Sequence, residues 1–224
     1  MTNFDSDSNA AVQSAKQRLI ANLATSGLRD AVARYFHDGQ PFAGQTFDSL
    51  GNNPTDRIVP DDLLAVTLLD VRWKPLAVRR LLHDQAAEVT QLLHAVDDAT
   101  EIWAPEGSKQ LDAAEPLWDL LYKLPGVRDT TASKLLSRKR PLLIPITDSI
   151  IVSAVGTPGE TWATLRHCFQ DDLFRQQVET LRPGNTERIS LLRMFDVAIW
   201  MLFSHSKAAI KARREAGVEP SLGA

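Results

Sequence analysis

Between Leu124 and Asp148 the chain carries the residues best suited to chemistry. The run Leu124-Pro125-Gly126-Val127-Arg128-Asp129-Thr130-Thr131-Ala132 reads as a helix end, a tight turn and the start of a new helix. Gly126 supplies a turn that a Cβ would obstruct. The next helix begins near Asp129, and Ala132 is small enough to let the two helices cross closely. Uncapped backbone N–H groups at such a turn point outward together, which suits a phosphate oxygen. Gly126, Arg128 and Thr130 would line the contact, and Lys134, Arg138, Lys139 and Arg140 add positive charge nearby. A contact of this kind reads backbone rather than base, so it would be largely independent of sequence.

Each of these features also has a plainer reading. Asp148 stands directly before Ser149-Ile150-Ile151, where an aspartate is a good helix N-cap. Arg138-Lys139-Arg140 precedes Pro141, so the cations could simply complement a helix C-terminus. Lys207, Lys211, Arg213 and Arg214 fit a solvated helix end as well as a phosphate contact. Asp196 lies in the most apolar stretch and needs a partner, which Arg193 can supply from three residues earlier on the same face. Trp73, between Arg72 and Lys74, could stack on a base or fill a core. The five histidines form no close ligand pair and Cys168 is the one cysteine, so no metal and no cofactor is expected.

The elements that must position these groups read as helices. The 224 residues are 44% apolar and rich in Leu and Ala, with Gly and Pro gathered in clusters. A chain of that length buries roughly 70% of its unfolded surface, enough for one medium domain or two packed lobes. Helical spacing is expected over 11–23, 28–37, from Pro60, from Pro75 to about Leu82, over 86–96 and over 111–121. It resumes from Asp148 to about Val155, in two further amphipathic helices, and from about Thr186. The Pro60 helix is apolar on most sides and reads as central. Residues 38–56 read as a long loop anchored by Phe42 and Phe47, and 102–108 as a loop that buries Trp103. Strand signals are confined to 142–146, and both chain ends read as frayed. The fold class is all-α. The expected division is 1–56, 57–150 and 151–224, with both chain ends packing into one lobe.

A net charge of −3 gives no general pull toward nucleic acid, so any such function needs a local patch. Residues 1–8 have neither the basic start nor the apolar core of a secretory signal. The longest apolar stretch, 189–203, is interrupted by Arg193 and Asp196 and is too short and charged to span a bilayer. A cytoplasmic protein without a membrane partner is the expectation.

The hairpin, the extended 141–146 connector and Asp148-Ser149, 24 positions after Leu124, resemble the helix-hairpin-helix DNA glycosylase superfamily, the endonuclease-III-like group. Pro60-Asp61-Asp62-Leu63-Leu64-Ala65-Val66 is similar to an upstream helix of those enzymes. The resemblance implies a two-lobed helical bundle that grips duplex DNA by its phosphates. It also implies that Asp148 is the essential carboxylate beside a flipped nucleotide, stabilising the cationic sugar or orienting water. Arg72 falls where the family carries a glutamine that helps fill the gap left by the extruded base. The chain departs from the pattern in four ways, the first being a stretch between Pro60 and Leu124 that is short for the family. Arg128 replaces the second hairpin glycine, at a cost of about 1 kcal/mol if that position needs positive φ. Thr130 stands at the lysine of bifunctional members, so lyase chemistry is not implied, and the iron–sulfur cysteines are absent. A closer resemblance, to an actinobacterial family of unknown function, rests on residues 61–66, on Ala132–Pro141 and on Pro145 before Asp148, and implies no activity.

The expected function is therefore a DNA-binding protein of helix-hairpin-helix type, acting in DNA repair if it is a monofunctional N-glycosylase. The opposing readings are a scaffold that binds without chemistry and a protein-interaction module.

Overall fold

The structure, a computed structural model, describes residues 6–184 and 186–218; the expected frayed ends fall largely outside them. Among the described residues all regular structure is helical. The chain divides into two compact units, one of residues 1–42 and 148–224, the other of residues 43–147. The loop assigned from sequence to the N-terminal part thus belongs, from residue 43, to the middle unit, for the reason given below.

The middle unit holds α3 (Pro60–Thr67), α4 (Pro75–Arg79), α5 (Ala86–His94), α6 (Gly107–Tyr122) and α7 (Asp129–Lys139). Pro60 and Pro75 each occupy the first helical turn, where the missing N–H costs nothing. A π-helical turn, Arg80–Asp84, carries α4 toward α5, in place of the uniform helix expected to Leu82. α3 buries Leu63, Ala65 and Val66 but leaves Leu64 56% exposed, so it is one-sided rather than central. In the 102–108 loop the anchor is Ile102, fully buried, while Trp103 is half-exposed. Residues 142–146 pair with no strand; Leu142 instead accepts from the Ile102 N–H at 2.9 Å.

The other unit holds α1 (Ser6–Leu23), α2 (Leu28–Tyr35), α8 (Ser149–Val155), α9 (Thr161–Phe169), α10 (Asp172–Glu179), α11 (Leu191–Phe203) and α12 (Lys207–Glu215). α11 is its axis, with residues 192–199 and Met201 all buried. Phe195 packs edge-on against Phe169, and Phe174 completes the cluster. Arg193 and Asp196 form the expected ion pair one turn apart, and Arg193 Nη2 also donates to the Tyr35 hydroxyl at 2.9 Å. The basic segment 207–214 forms α12, where Arg213 donates to the carbonyls of Met201 and Ser204 at 2.6 and 2.9 Å. That contact satisfies the orphan carbonyls ending α11.

Candidate nucleic-acid interface

α6 ends at Tyr122, and residues 123–128 turn the chain into α7. Gly126 has φ +78°, a left-handed conformation open to glycine at little cost. The place its Cβ would take is occupied by a residue from a distant segment: a Cβ at Gly126 would lie 2.7 Å from Lys74 Cγ. Arg128 caps α7 with φ −141° and ψ −177°, ordinary extended backbone. The strain expected for an arginine at a glycine position is therefore absent. Arg128 makes no side-chain cap bond to α7. Its guanidinium folds back instead, donating to the Val127 carbonyl at 2.5 Å and lying 5.3 Å from the centre of the Tyr122 ring. Tyr122 is 42% exposed, and Arg128 and Lys74 are exposed.

The approach of Lys74 to the turn is fixed from two sides. Lys134, on α7, sends Nζ inward to the Leu69 carbonyl at 2.9 Å. Trp73 Nε1 donates to the Leu63 carbonyl of α3 at 3.0 Å. Between them Asp70 adopts φ +62°, a conformation that aspartate tolerates better than most side chains. Residues 71–74 then run without regular structure to Pro75. Trp73 is accordingly a half-buried anchor.

The basic run at the far end of α7 is internal, against the expectation that Arg138 and Lys139 face DNA. Arg138 and Lys139 are 2% and 1% exposed. Arg138 Nε donates to Asp62 Oδ1 at 2.9 Å, and its other nitrogens serve the Phe47 and Leu50 carbonyls. Lys139 pairs with Asp62 Oδ2 and donates to Asn53 Oδ1 and the Pro54 carbonyl, both at 2.9 Å. Arg140 reaches the carbonyls of Val96 at 2.8 Å and Thr55 at 2.9 Å. Asp62 closes the set as the N3 residue of α3, accepting from the Val59 N–H at 2.8 Å. Three adjacent cations thus satisfy the Phe47, Leu50, Pro54 and Thr55 carbonyls of a largely irregular segment, and this holds residues 47–55 to the middle unit. Burial pushes Lys139 below the ordinary lysine value, opposed by Asp62, and pushes Arg140 down likewise, opposed by Asp98 and Asp97.

Of the sequence-derived site residues, Gly126, Arg128 and Thr130 gather at the start of α7, Lys134 points inward from it, and Arg138 and Lys139 stand roughly 16 Å further on by helix rise. Arg72 is exposed, two residues before Lys74. Asp148 belongs to the other unit, where it caps α8: its Oδ1 accepts from the Ile150 and Ile151 N–H groups, both at 3.0 Å. Lys74 and Tyr122 were not singled out as turn residues by sequence reasoning; the tract Arg72-Trp73-Lys74, two cations around an aromatic, was the signal for the first. No group of three or more His, Cys, Asp or Glu among the described residues could hold a metal ion.

Among the described residues the protein is all-helical and divides into two units, with a glycine-dependent turn beside which Lys74, Lys123, Arg128 and Tyr122 are exposed. The chain belongs to a family of unknown function (DUF6308), matched over residues 28–203, from the start of α2 to the end of α11. No curated protein and no solved structure matches it significantly.

Proposed function

We propose that the protein binds duplex DNA, without sequence preference, through a helix-hairpin-helix contact at residues 123–128. The observation that carries this reading is the opening of α7: no side chain caps it, the left-handed Gly126 keeps the turn tight, and Arg128 lies exposed beside it. A helix start of that kind presents backbone N–H groups and a partial positive charge to an anion. Arg138 and Lys139 are left out of the interface because their donors are engaged internally. The resemblance to glycosylases in the hairpin and its spacing to Asp148 agrees with the reading. Titration of a labelled duplex at two salt concentrations tests it. Affinity that falls steeply with salt is expected, and no binding at low salt would remove the proposal.

A second reading makes the same scaffold a monofunctional N-glycosylase with Asp148 as the essential carboxylate. It is favoured by Asp148 being half-buried at the opening of α8, directly after residues 144–147, which carry no regular structure. Duplexes carrying alkylated, deaminated or oxidised bases, followed by alkaline cleavage of abasic sites, separate an enzyme from a binder. An Asp148→Asn protein that stays folded and retains full activity would discard the catalytic role.

A further inference from the structure

We infer that Lys74 and Arg128 form a side-chain clamp on a single backbone phosphate of the bound strand, with Tyr122 as the positioning residue that holds Arg128 in place. The inference rests on the DNA-binding reading and says which side chains carry it. One remote segment and the two flanks of the turn meet at Gly126. Lys74 comes from the start of α4, Tyr122 from the end of α6, and Arg128 from the start of α7. Lys74 lies across the glycine itself, so its aliphatic stem fills the space where any other residue would carry a Cβ. Arg128 lies on the Tyr122 ring, 5.3 Å from its centre. A guanidinium over a tyrosine face is attracted by the ring and loses less freedom on meeting an anion than one free in solvent.

The local charge agrees. Within residues 122–130 Lys123 and Arg128 are exposed against the single exposed carboxylate of Asp129, and Lys74 adds a third cation from a segment that also carries the exposed Asp70. Both clamp residues are positioned rather than loose. Lys134 and Trp73 fix the segment that delivers Lys74, and the Val127 carbonyl and Tyr122 ring hold Arg128. Arg128 therefore replaces a glycine without strain and adds a charged donor where a glycine could offer only its backbone.

The test is fluorescence anisotropy of the full chain with a labelled duplex from 50 to 200 mM salt, for wild type, Lys74→Ala, Arg128→Ala and the double variant. Each lost phosphate contact is expected to lower the logarithmic salt slope by about 0.9, which is roughly a three- to fourfold change over that range. Because both side chains serve one phosphate, the double variant should lose about that one increment rather than twice it, equally for duplexes of different sequence. Tyr122→Phe should bind as wild type, and Tyr122→Leu should bind more weakly, because only the first keeps the ring. Circular dichroism confirms that each variant is folded. Wild type that binds while folded Lys74→Ala and Arg128→Ala keep its slope would overturn the clamp and leave the DNA reading standing. Wild type that fails to bind at 50 mM, or binds anionic phosphatidylserine vesicles but not DNA, would overturn both.

Discussion

Arg138 and Asp62 meet at 2.9 Å with both side chains shut from solvent, and Lys139 takes the second carboxylate oxygen. Asp62 is thereby the common anchor of α3, the end of α7 and the 47–54 loop. Replacing it with alanine leaves two cations buried against one another. Breaking a buried pair from one side costs about 3–5 kcal/mol. Urea denaturation of Asp62→Ala should show a loss of that order in the unfolding free energy, and a loss below about 1 kcal/mol would contradict the geometry.

Gly126 is constrained in two ways, by φ +78° and by the Lys74 stem against it. A left-handed backbone costs an L-residue roughly 1–2 kcal/mol. The contact is with Lys74 Cγ, close to its backbone, so it adds to the backbone term. Gly126→Ala should lower stability by at least that amount in thermal unfolding, with the Lys74→Ala background relieving only the part due to the contact. Arg128→Gly, by contrast, should bring no backbone relief, because Arg128 is already in extended backbone.

Asp171 couples α1 to α10. It pairs with Lys16 and accepts from the Leu173 N–H at 2.8 Å, and the Lys16 bond is the largest of the causes that hold its carboxyl below the ordinary aspartate value of 3.8. A folded-state pKa below the unfolded one contributes stability that is present above about pH 4 and is lost as pH falls through the folded value. Lys16→Met removes the main cause. In acid titrations followed by circular dichroism, the variant should lose part of the stability slope below pH 4 and match the wild-type slope above pH 5. Identical acid limbs would count against the pairing.

Cys168 is fully buried among the side chains of the terminal unit, and burial raises its thiol to about 12, against a smaller lowering by Lys16. Thiolate is the reactive form. At pH 8 the native protein should resist a maleimide or disulfide reagent, and labelling should appear only as urea unfolds the chain. Rapid stoichiometric labelling without denaturant would show that the site is open.

The sequence was informative where one residue and its neighbours decide the outcome. Gly126 announced a tight turn, Asp148 before Ser149-Ile150 announced a cap, and Arg193 with Asp196 announced a one-turn ion pair. Pro60 and Pro75 marked helix starts to the residue. It was uninformative where the partner is remote. Asp61 and Asp62 look equivalent as first-turn acids, yet Asp61 accepts from the Asn52 N–H at 2.7 Å while Asp62 turns inward to Arg138, 76 positions away. No local pattern encodes that separation. The nearest signal was the length of the 38–56 loop: so many carbonyls without regular structure need donors, and the adjacent cations 138–140 are those donors. Lys74 was hidden for the same reason, since only the fold brings it to Gly126.

The carbonyl-lined loop also decides where the protein can be cut into pieces. A fragment starting at residue 57, as the sequence alone would suggest, keeps Arg138, Lys139 and Arg140 but discards Phe47, Leu50, Asn53, Pro54 and Thr55, the groups that receive them. Asp62, Val96 and Leu93 would remain, but the donors freed from the lost carbonyls would face a vacated groove and could recruit an anion, nucleic acid included. DNA retention by such a fragment would report the amputation rather than the native surface, so a binding experiment on the middle unit must begin no later than residue 43.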